Sequence, residues 1–195
     1  MTDATHTFRM RLFLVSGRVD EFYQSDEEQI RLNLPVIAPD SVFENPLLIV
    51  AGAHRTTTYR TAEILRIEVE SERIMWTFSR QLEECELIGE AEFEVEHAKR
   101  RDMPRETKRI AGSKFRDLVE FHDVKGGVFH VRIAGVVPPS AARIHVTEAI
   151  AEDSYLYSRR NHTHVLFNTK NLVSIALFPG PPVVPYDSVK AHHVG

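Results

Sequence analysis

The chain has 195 residues, of which 43% are hydrophobic and 27% are charged, and its formal net charge is −4. This composition is ordinary for a globular protein, and the net charge is too small to indicate a polyanionic partner by itself. The single cysteine, Cys85, excludes an internal disulfide and any metal site built from several cysteines.

The chain carries no membrane or export signal that we can identify. No apolar run approaches the roughly 20 residues of a membrane helix, and the polar residues 1–7 are unlike a signal peptide. We therefore expect a cytoplasmic protein that does not contact a membrane. Three glutamates, Glu83, Glu84 and Glu86, surround Cys85, and their negative charge would raise the pKa of its thiol. We therefore predict no catalytic role for this cysteine.

The first predicted unit spans residues 1–78 and is built from strands. Residues 8–15 alternate between apolar and charged side chains and then become apolar on both faces, which is typical of a strand that is half-exposed at its start. Gly17 then permits a bend. A second strand is predicted over residues 30–37. It lies at a sheet edge or carries a bulge, because Pro35 cannot donate a hydrogen bond to a ladder.

The same unit continues with a buried strand over residues 47–51, which Gly52 ends. Over residues 65–70 apolar and charged side chains alternate with a period of two, and this pattern predicts a further strand. The unit closes with residues 72–78. We expect their lone tryptophan, Trp76, to pack between units.

Charge is segregated in a predicted insertion, residues 79–126. In its acidic half, glutamates alternate with Ala91, Phe93 and Val95, and this period of two predicts a strand over residues 90–96 with its acids on one face. The basic residues of the other half are Lys99, Arg100, Arg101, Arg105, Lys108, Arg109, Lys114 and Arg116. One short helix is predicted from about Arg105 onward, because Ile110, Phe115, Leu118 and Val119 are near helical spacing, although Gly112 disfavours it.

The second predicted unit spans residues 127–178, with Gly126 and Gly127 as the hinge that leads into it. Its predicted strands cover residues 129–133, 144–150, 155–157, 164–167 and 172–178. The chain ends in an arm, residues 179–195, which is too rich in proline for a sheet interior. We predict that apolar side chains of this arm dock on a neighbouring protein, and these are Val183, Val184 and Tyr186.

Three blocks of sequence recur in the same order along the chain. The aligned ranges are 13–19 with 131–137, 31–43 with 143–157, and 59–69 with 167–177. Similar blocks in a fixed order predict an internal duplication. We therefore predict a mainly β protein of two homologous small units, each barrel-like or sandwich-like, joined by the charged insertion with at most one short helix.

The last strands of the chain carry a resemblance to known proteins. Residues 164–175 read His-Val-Leu-Phe-Asn-Thr-Lys-Asn-Leu-Val-Ser-Ile. The order of strand, glycine, strand, polar turn and this final element resembles small bacterial β-domains of uncharacterised function, and it is distantly similar to Sm-like small β-barrels. Sm-like proteins commonly form rings and bind RNA, so the resemblance implies these properties. It places no RNA-binding residue in this chain.

Two local groups of residues are candidates for binding, one for a metal ion and one for an anionic partner. His162 and His164 are two apart, so on a strand they would point to the same side, as metal ligands or as surface histidines near a turn. The candidates for contact with nucleic acid or another anionic partner are Lys99, Arg100, Arg101, Arg105, Lys108 and Arg109. The alternative is that these cations pair with the acidic half of the insertion, and the sequence does not decide between an external polyanion and the chain's own acids.

Enzymatic motifs are missing from the sequence. It contains no nucleophile elbow, phosphate loop, dinucleotide fingerprint or metalloprotease helix, so we predict no catalytic residue, no metal and no cofactor. The predicted function is that of a non-enzymatic assembly component that self-associates or docks on a larger protein complex. Two alternatives stay open: an Sm-like nucleic-acid-binding protein that uses residues 99–116, and a small-ligand-binding or enzymatic β protein.

Overall fold

The structure is a computed structural model that describes residues 8–52, 54–74, 76, 83–100, 110–137 and 155–178. The protein is mainly β, which confirms the predicted fold class, and it has three short helices. The strands are β1 (Phe8–Leu14), β2 (Val19–Gln24), β3 (Leu47–Ala51), β4 (Thr56–Arg60), β5 (Ile64–Glu70), β6 (Glu84–Ile88), β7 (Lys114–Asp123), β8 (Val128–Val136), β9 (Tyr155–Arg160), β10 (Thr163–Asn168) and β11 (Leu172–Phe178). The helices are α1 (Glu27–Val36), α2 (Pro39–Val42) and α3 (Glu90–Ala98).

Nine strands form one sheet, in the order β11-β7-β8-β6-β9-β10-β5-β1-β2, and β3 and β4 form a separate hairpin. Neighbouring strands pair antiparallel except β6 and β9, which are parallel and meet at a single residue pair. The described strands form no closed barrel. None of the described helices is long or apolar enough to cross a membrane.

Two hydrophobic cores lie on opposite faces of β10. Leu166 belongs to the first core, which β1, β5, α1, α2 and the β3–β4 hairpin enclose. Val165 and Phe167 belong to the second core, to which β6, β7 and β8 contribute. On the outer face of β7, a third and smaller cluster joins Leu118 to Phe93 of α3. β10 is therefore buried on both faces.

The predicted strand over residues 30–37 is wrong, because this stretch belongs to α1. The carboxylate of Asp26 caps the helix by accepting a hydrogen bond from the amide of Gln29 over 2.8 Å. Ile30 and Ile37 are both buried, two helical turns apart, whereas Leu32 is exposed. Pro35 falls in the last turn of the helix rather than on a sheet edge. The capping aspartate and two following glutamates were the sequence signal for this helix.

The predicted acidic strand over residues 90–96 is also wrong, because this stretch is α3. Phe93 is buried but Val95 is exposed, so only one of the two faces the protein. A helix places residues four apart on one side, and Glu92 and Glu96 therefore point together at the sheet. The strict alternation of acids and apolar residues was accidental.

Two hairpins of the large sheet share one geometry. β1–β2 and β7–β8 turn at Gly17 and Gly126, whose φ values of 85° and 79° are readily adopted only by glycine. Equivalent cross-strand pairs are Phe13–Val19 with His122–Val128, Met10–Phe22 with Val119–Val131, and Arg9–Tyr23 with Leu118–Arg132. The turn hydrogen bonds, both 2.9 Å long, are Leu14 N–H to Arg18 O and Asp123 N–H to Gly127 O.

The strands that follow these hairpins match as well. In each case a further hairpin, β3–β4 or β9–β10, leads through a 3₁₀ turn into a strand that pairs with the first strand of the series. That pairing is interrupted by a β-bulge at the same place, where Leu14 lies opposite Ile64 and Asp123 lies opposite Leu172. We call β1–β5 the N-terminal strand set and β7–β11 the C-terminal strand set.

The predicted match of residues 13–19 with residues 131–137 is wrong. Residues 13–19 span the turn between β1 and β2, whereas residues 131–136 lie inside β8. The structural equivalent of Gly17 is Gly126, which forms a hairpin turn with Gly127 and is not a hinge between units. β7, which the prediction placed in the insertion, is a central strand paired with both β8 and β11.

Several predicted features lie outside the described residues. They are the strand over residues 144–150, the first part of the helix from Arg105 and the proline-rich arm 179–195. The rest of that predicted helix is wrong, because Phe115, Leu118 and Val119 lie on strand β7. Residues 143–154, the aligned partner of the α1 region, also lie outside them. The third block is described in full, and residues 59–69 and 167–177 both run from a strand through a 3₁₀ turn into a strand.

Candidate functional site

The two strand sets meet where β5 pairs with β10. Their antiparallel ladder runs from the pair Thr163–Glu70 to the pair Phe167–Arg66. Because β10 belongs to the C-terminal set and β5 to the N-terminal set, this ladder is a contact between the sets. It buries Leu166 opposite Ile67 in the first core.

Two asparagines extend this contact beyond the end of the ladder. The side-chain amide of the buried Asn168 donates to the carbonyl oxygens of Thr61, over 3.1 Å, and Ile64, over 3.0 Å. The amide of Asn171 donates to the carbonyl oxygens of Ala62, over 3.0 Å, and Ile64, over 2.9 Å. An amide group supplies two donors, and each such bond contributes about 0.5–1.5 kcal/mol. Side chains therefore fix the register of the contact together with the backbone.

Each strand of this contact has an equivalent with an open edge. β11 is the equivalent of β5, and within the described part of the chain it pairs only with β7. β4 is the equivalent of β10, and over the same residues it pairs only with β3. Open edges present backbone donors and acceptors that can pair with another strand.

Side chains beside the open edges are more exposed than their equivalents. Ile49 of β3 is 59% exposed, whereas its equivalent on β9, Tyr157, is 4% exposed. The strand 47–51 was predicted to be buried, and for Ile49 and Leu47 that prediction is wrong in the single chain. On β11, Ile175 and Leu177 are partly buried, while the corresponding residues of β5 are completely buried. The apolar surface on both elements is thus incompletely covered.

A buried aromatic cluster supports the contact between the strand sets. The ring of Trp76 lies edge-on to Tyr157 and His164, with centroids 6.1 Å and 5.7 Å away, which confirms that this tryptophan packs between the sets. The Tyr157 hydroxyl lies 2.5 Å from His164 Nδ1. Burial raises the pKa of Tyr157 to about 12 and, aided by the charges of Arg159 and His162, lowers the pKa of His164 to about 4. Both groups are therefore uncharged at neutral pH.

α3 is attached to the sheet by a buried arginine. Arg132 of β8 is 5% exposed and donates hydrogen bonds to the carboxylates of Glu86, Glu92 and Glu96. The hydrogen bond from Arg132 lowers the pKa of Glu96. Burial would lower the pKa of Arg132, but its bonds to Glu96 and Glu92 outweigh that effect and raise it. The acids of α3 therefore neutralise a cation of the chain itself.

A second part of the same contact is aromatic and histidine-rich. The ring of Phe93 stacks on His130 with centroids 4.0 Å apart, and Phe178 meets it edge-on. Burial would raise the pKa of Glu120, but hydrogen bonds from His122 and His130 outweigh it and lower the pKa. The rings of His130 and Phe178 thus hold α3 against β8 and β11.

The basic candidates divide between described and undescribed parts of the chain. Lys99 is exposed at the end of α3, and Arg100 binds Glu96 over 3.4 Å. This bond fits the interpretation that the insertion pairs its own charges. The other candidates lie outside the described residues, namely Arg101, Arg105, Lys108 and Arg109, together with Val183, Val184 and Tyr186 of the arm.

The histidine pair does not form a metal site. His162 lies in an exposed turn, whereas His164 is buried and bound to Tyr157, so the two rings do not converge. Over the residues that the structure describes, no group of three potential ligands could hold a metal ion. Cys85 is buried in the second core, and burial raises the pKa of its thiol to about 12.

Sequence reasoning missed Arg132, Asn168 and Asn171. Arg132 lies in the middle of the apolar run around β8. An arginine in such a run indicates that acidic side chains cover that face of the strand. The two asparagines were noted only within the segment 164–175 that carries the resemblance, because nothing local indicates that they bind residues of the other strand set.

Comparison with known proteins gives no assignment for this chain. No protein-family model, no curated protein and no solved structure matches it. We therefore infer the function from the geometry of the described residues.

Proposed function

We propose that this protein is a non-enzymatic assembly component whose copies associate through strand pairing. In the proposed contact, the β3–β4 hairpin of one copy pairs along the open edge of β11 in a second copy. The observation that carries this proposal is the ladder between β5 and β10, because equivalents of both strands exist and each has an open edge within the described part of the chain.

We also infer that the chain arose by internal duplication. The support comes from the matching registers of β1–β2 and β7–β8 and from the bulge that both strand sets place between their first and last strands. A bulge is a specific backbone feature that alternating patterns do not produce by chance. If the two sets are duplicates, the strands equivalent to β5 and β10 can pair between chains in the way that β5 and β10 pair inside one chain.

The backbone groups at both edges point in the directions that the proposal requires. Hydrogen-bonded pairs alternate along an antiparallel ladder, and Gly52 donates to Arg55 over 2.8 Å in the β3–β4 hairpin. The amide of Thr58 therefore points away from β3. Along β7 the same alternation, counted from the hydrogen-bonded pair Asp123–Gly127, turns the amide of Phe121 toward β8. Ile175 lies opposite Phe121, so its own amide points to the open edge of β11. Thr58 and Ile175 are the equivalents of Leu166 and Ile67, which face each other in the internal ladder.

The side chains also fit this pairing. In the proposed contact, Ile49 of one copy lies beside the second core of the other copy, as Tyr157 lies beside the first core within one chain. Ile49 would cover Ile175 and Leu177, which pack at the margin of the second core. Burial of apolar surface contributes roughly 25 cal/mol per Å², and this is the main driving force that we assign to the association.

Replacing Thr58 with proline is expected to abolish self-association. Proline removes the outward amide of this exposed residue without taking a hydrogen bond from the β3–β4 ladder, and edge strands tolerate such a proline. Sedimentation velocity at about 50 μM, where modest affinities are visible, should show oligomers for the wild type and monomers for the variant. Thr58→Val keeps the amide and should assemble. A monomeric wild type, or a Thr58→Pro variant that assembles normally, would overturn the proposal.

Replacing Glu63 with asparagine is expected to strengthen self-association. Glu63 is the equivalent of Asn171, so in the proposed contact it would face the carbonyl oxygens of Lys170 and Leu172, to which a carboxylate cannot donate. An asparagine adds a hydrogen bond worth about 0.5–1.5 kcal/mol and removes a repulsive charge, so the dissociation constant should fall about tenfold.

The matched control is Glu94→Asn, which removes the same charge from an exposed position on α3. Its dissociation constant, measured by the same sedimentation experiment, should equal that of the wild type. An equal gain from both variants would mean that net charge, and not the geometry at Glu63, limits the association.

A further inference from the structure

The C-terminal strand set is completed by a strand that is not part of either hairpin. β6 pairs antiparallel with β8, from Glu84–Ala134 to Ile88–His130, and meets β9 in parallel. It therefore bridges the two hairpins of that set. Its Cys85 faces the second core, and the next residue, Glu86, faces outward and binds Arg132.

The N-terminal strand set has no such strand among the described residues. β2 is the equivalent of β8 and pairs there only with β1, and β3 is the equivalent of β9 and pairs there only with β4. The two strands consequently belong to separate sheets. Among the described residues no strand takes the position between β2 and β3 that β6 occupies in the other set, and we call this position the gap.

Side chains beside this gap are exposed where their equivalents are covered. Tyr23 of β2 is 69% exposed, whereas its equivalent, Arg132, is 5% exposed. Phe22 is only partly buried, while its equivalent, Val131, is completely buried against β6 and β7. Val50 of β3 is also partly buried and packs at the margin of the first core.

The backbone of β2 is oriented to accept a further strand. Leu14 and Arg18 form a hydrogen-bonded pair in the β1–β2 hairpin. The alternation of such pairs turns the amides of Glu21 and Tyr23 toward the open edge. Their equivalents, His130 and Arg132, lie opposite β6 in the completed set.

The charge near the gap indicates what kind of strand would fit. Residues 20–28 contain five carboxylates and no lysine or arginine, and the acids are Asp20, Glu21, Asp26, Glu27 and Glu28. Arg18, Arg9 and Arg73 each bind one of these acids, so an excess of negative charge is left. Tyr23 stands where Arg132 binds the acids of α3, and the cation beside it, Arg9, is already bound to Glu21, so an acidic strand like β6 would add uncompensated negative charge here.

We propose that the gap between β2 and β3 binds an extended basic segment of a partner protein. The segment adds antiparallel to β2, with apolar side chains facing Phe22 and Val50 and with lysine or arginine opposite Tyr23, diagonally beside Glu21. This is recognition by strand addition, in which main-chain hydrogen bonds give affinity and alternate side chains give specificity. The site is separate from the edge of β11 and does not depend on self-association.

The test uses a labelled peptide based on residues 83–89 of β6, carrying Glu84→Lys and Glu86→Lys to supply outward cations and Cys85→Val to remove the thiol. Fluorescence anisotropy measures its binding to the full chain with Thr58→Pro, in which the edge of β4 is blocked. We expect saturable binding. Adding Tyr23→Pro should weaken it at least about tenfold by removing an edge amide, whereas Tyr23→Thr, which keeps that amide, should change it less than about threefold.

A charge exchange gives a second readout that does not depend on proline. Glu21→Lys should weaken binding of the lysine peptide and strengthen binding of the peptide that keeps Glu84 and Glu86. Absence of saturable binding, equal effects of Tyr23→Pro and Tyr23→Thr, or no reversal with Glu21→Lys would each overturn the proposal. Because the Thr58→Pro background is monomeric under the proposed function, failure here and failure of self-association are distinguishable.

Discussion

Replacing Arg132 with alanine is expected to lower the free energy of unfolding by about 3–5 kcal/mol, the usual cost of removing one partner from a buried ion pair. The guanidinium holds the carboxylates of Glu86, Glu92 and Glu96 in one place against β8. Without it, three negative groups lose their common cation and α3 loses its polar attachment. Urea unfolding followed by circular dichroism measures this loss.

Two further variants separate charge from packing at this site. Glu92→Gln removes a carboxylate whose side chain is 54% exposed, and it should cost no more than about 1 kcal/mol. Adding Glu86→Gln and Glu96→Gln to the Arg132→Ala variant should restore part of the stability, because the penalty comes from uncompensated carboxylates. If the glutamines restore nothing, the role of Arg132 is to fill space and the electrostatic account is wrong.

Acid is expected to destabilise the protein through His164. Its pKa is lowered from the ordinary value of 6.5 to about 4 in the folded chain, because the ring is buried, so below pH 6.5 the unfolded chain binds a proton that the folded chain does not. Stability is therefore complete above pH 6.5 and is lost as the pH falls toward 4. Between pH 7.5 and 4.5 the loss from this one group should be about 2–3 kcal/mol.

The control for this prediction is His164→Asn. Asparagine does not titrate, and its side-chain oxygen can accept the hydrogen bond from the Tyr157 hydroxyl. The difference in unfolding free energy between wild type and variant, measured at both pH values, removes the contribution of other titrating groups. Parallel pH curves for the two proteins would mean that His164 does not set the acid sensitivity.

Strands could be predicted from the sequence where apolar side chains lie on one face of the strand and that face is buried. Met10, Leu12 and Leu14 are spaced two apart, with Arg9 and Arg11 on the other face, and all three are buried on one face of β1. The same rule failed in α3, where Glu92 and Glu96 are held by Arg132 on a distant strand. No local pattern reports such a partner, so alternation was mistaken for a strand.

The contact between the strand sets could not be predicted for a similar reason. Asn168 binds carbonyl groups of Thr61 and Ile64, more than one hundred positions earlier in the chain. In the sequence, an asparagine after a strand gives the same pattern whether its side chain bonds to its own turn or to a distant element of the fold. The apolar run of β3 was informative in a different way, because the burial predicted for Ile49 is absent from the described structure but would be met in the proposed contact between copies.

The open edges of β4 and β11 lie on unlike strands, so the proposed contact joins two different surfaces and does not end with a pair. Every copy that joins through its hairpin brings a new β11 edge of its own. Such a series closes into a circle only if the rotation between successive copies divides a full turn, and otherwise it grows as a helical fibre. A copy with a blocked hairpin and an intact β11 edge can accept another copy on that edge but cannot join a series through its own hairpin. The ratio of such copies to unblocked copies would therefore set the length of the assembly.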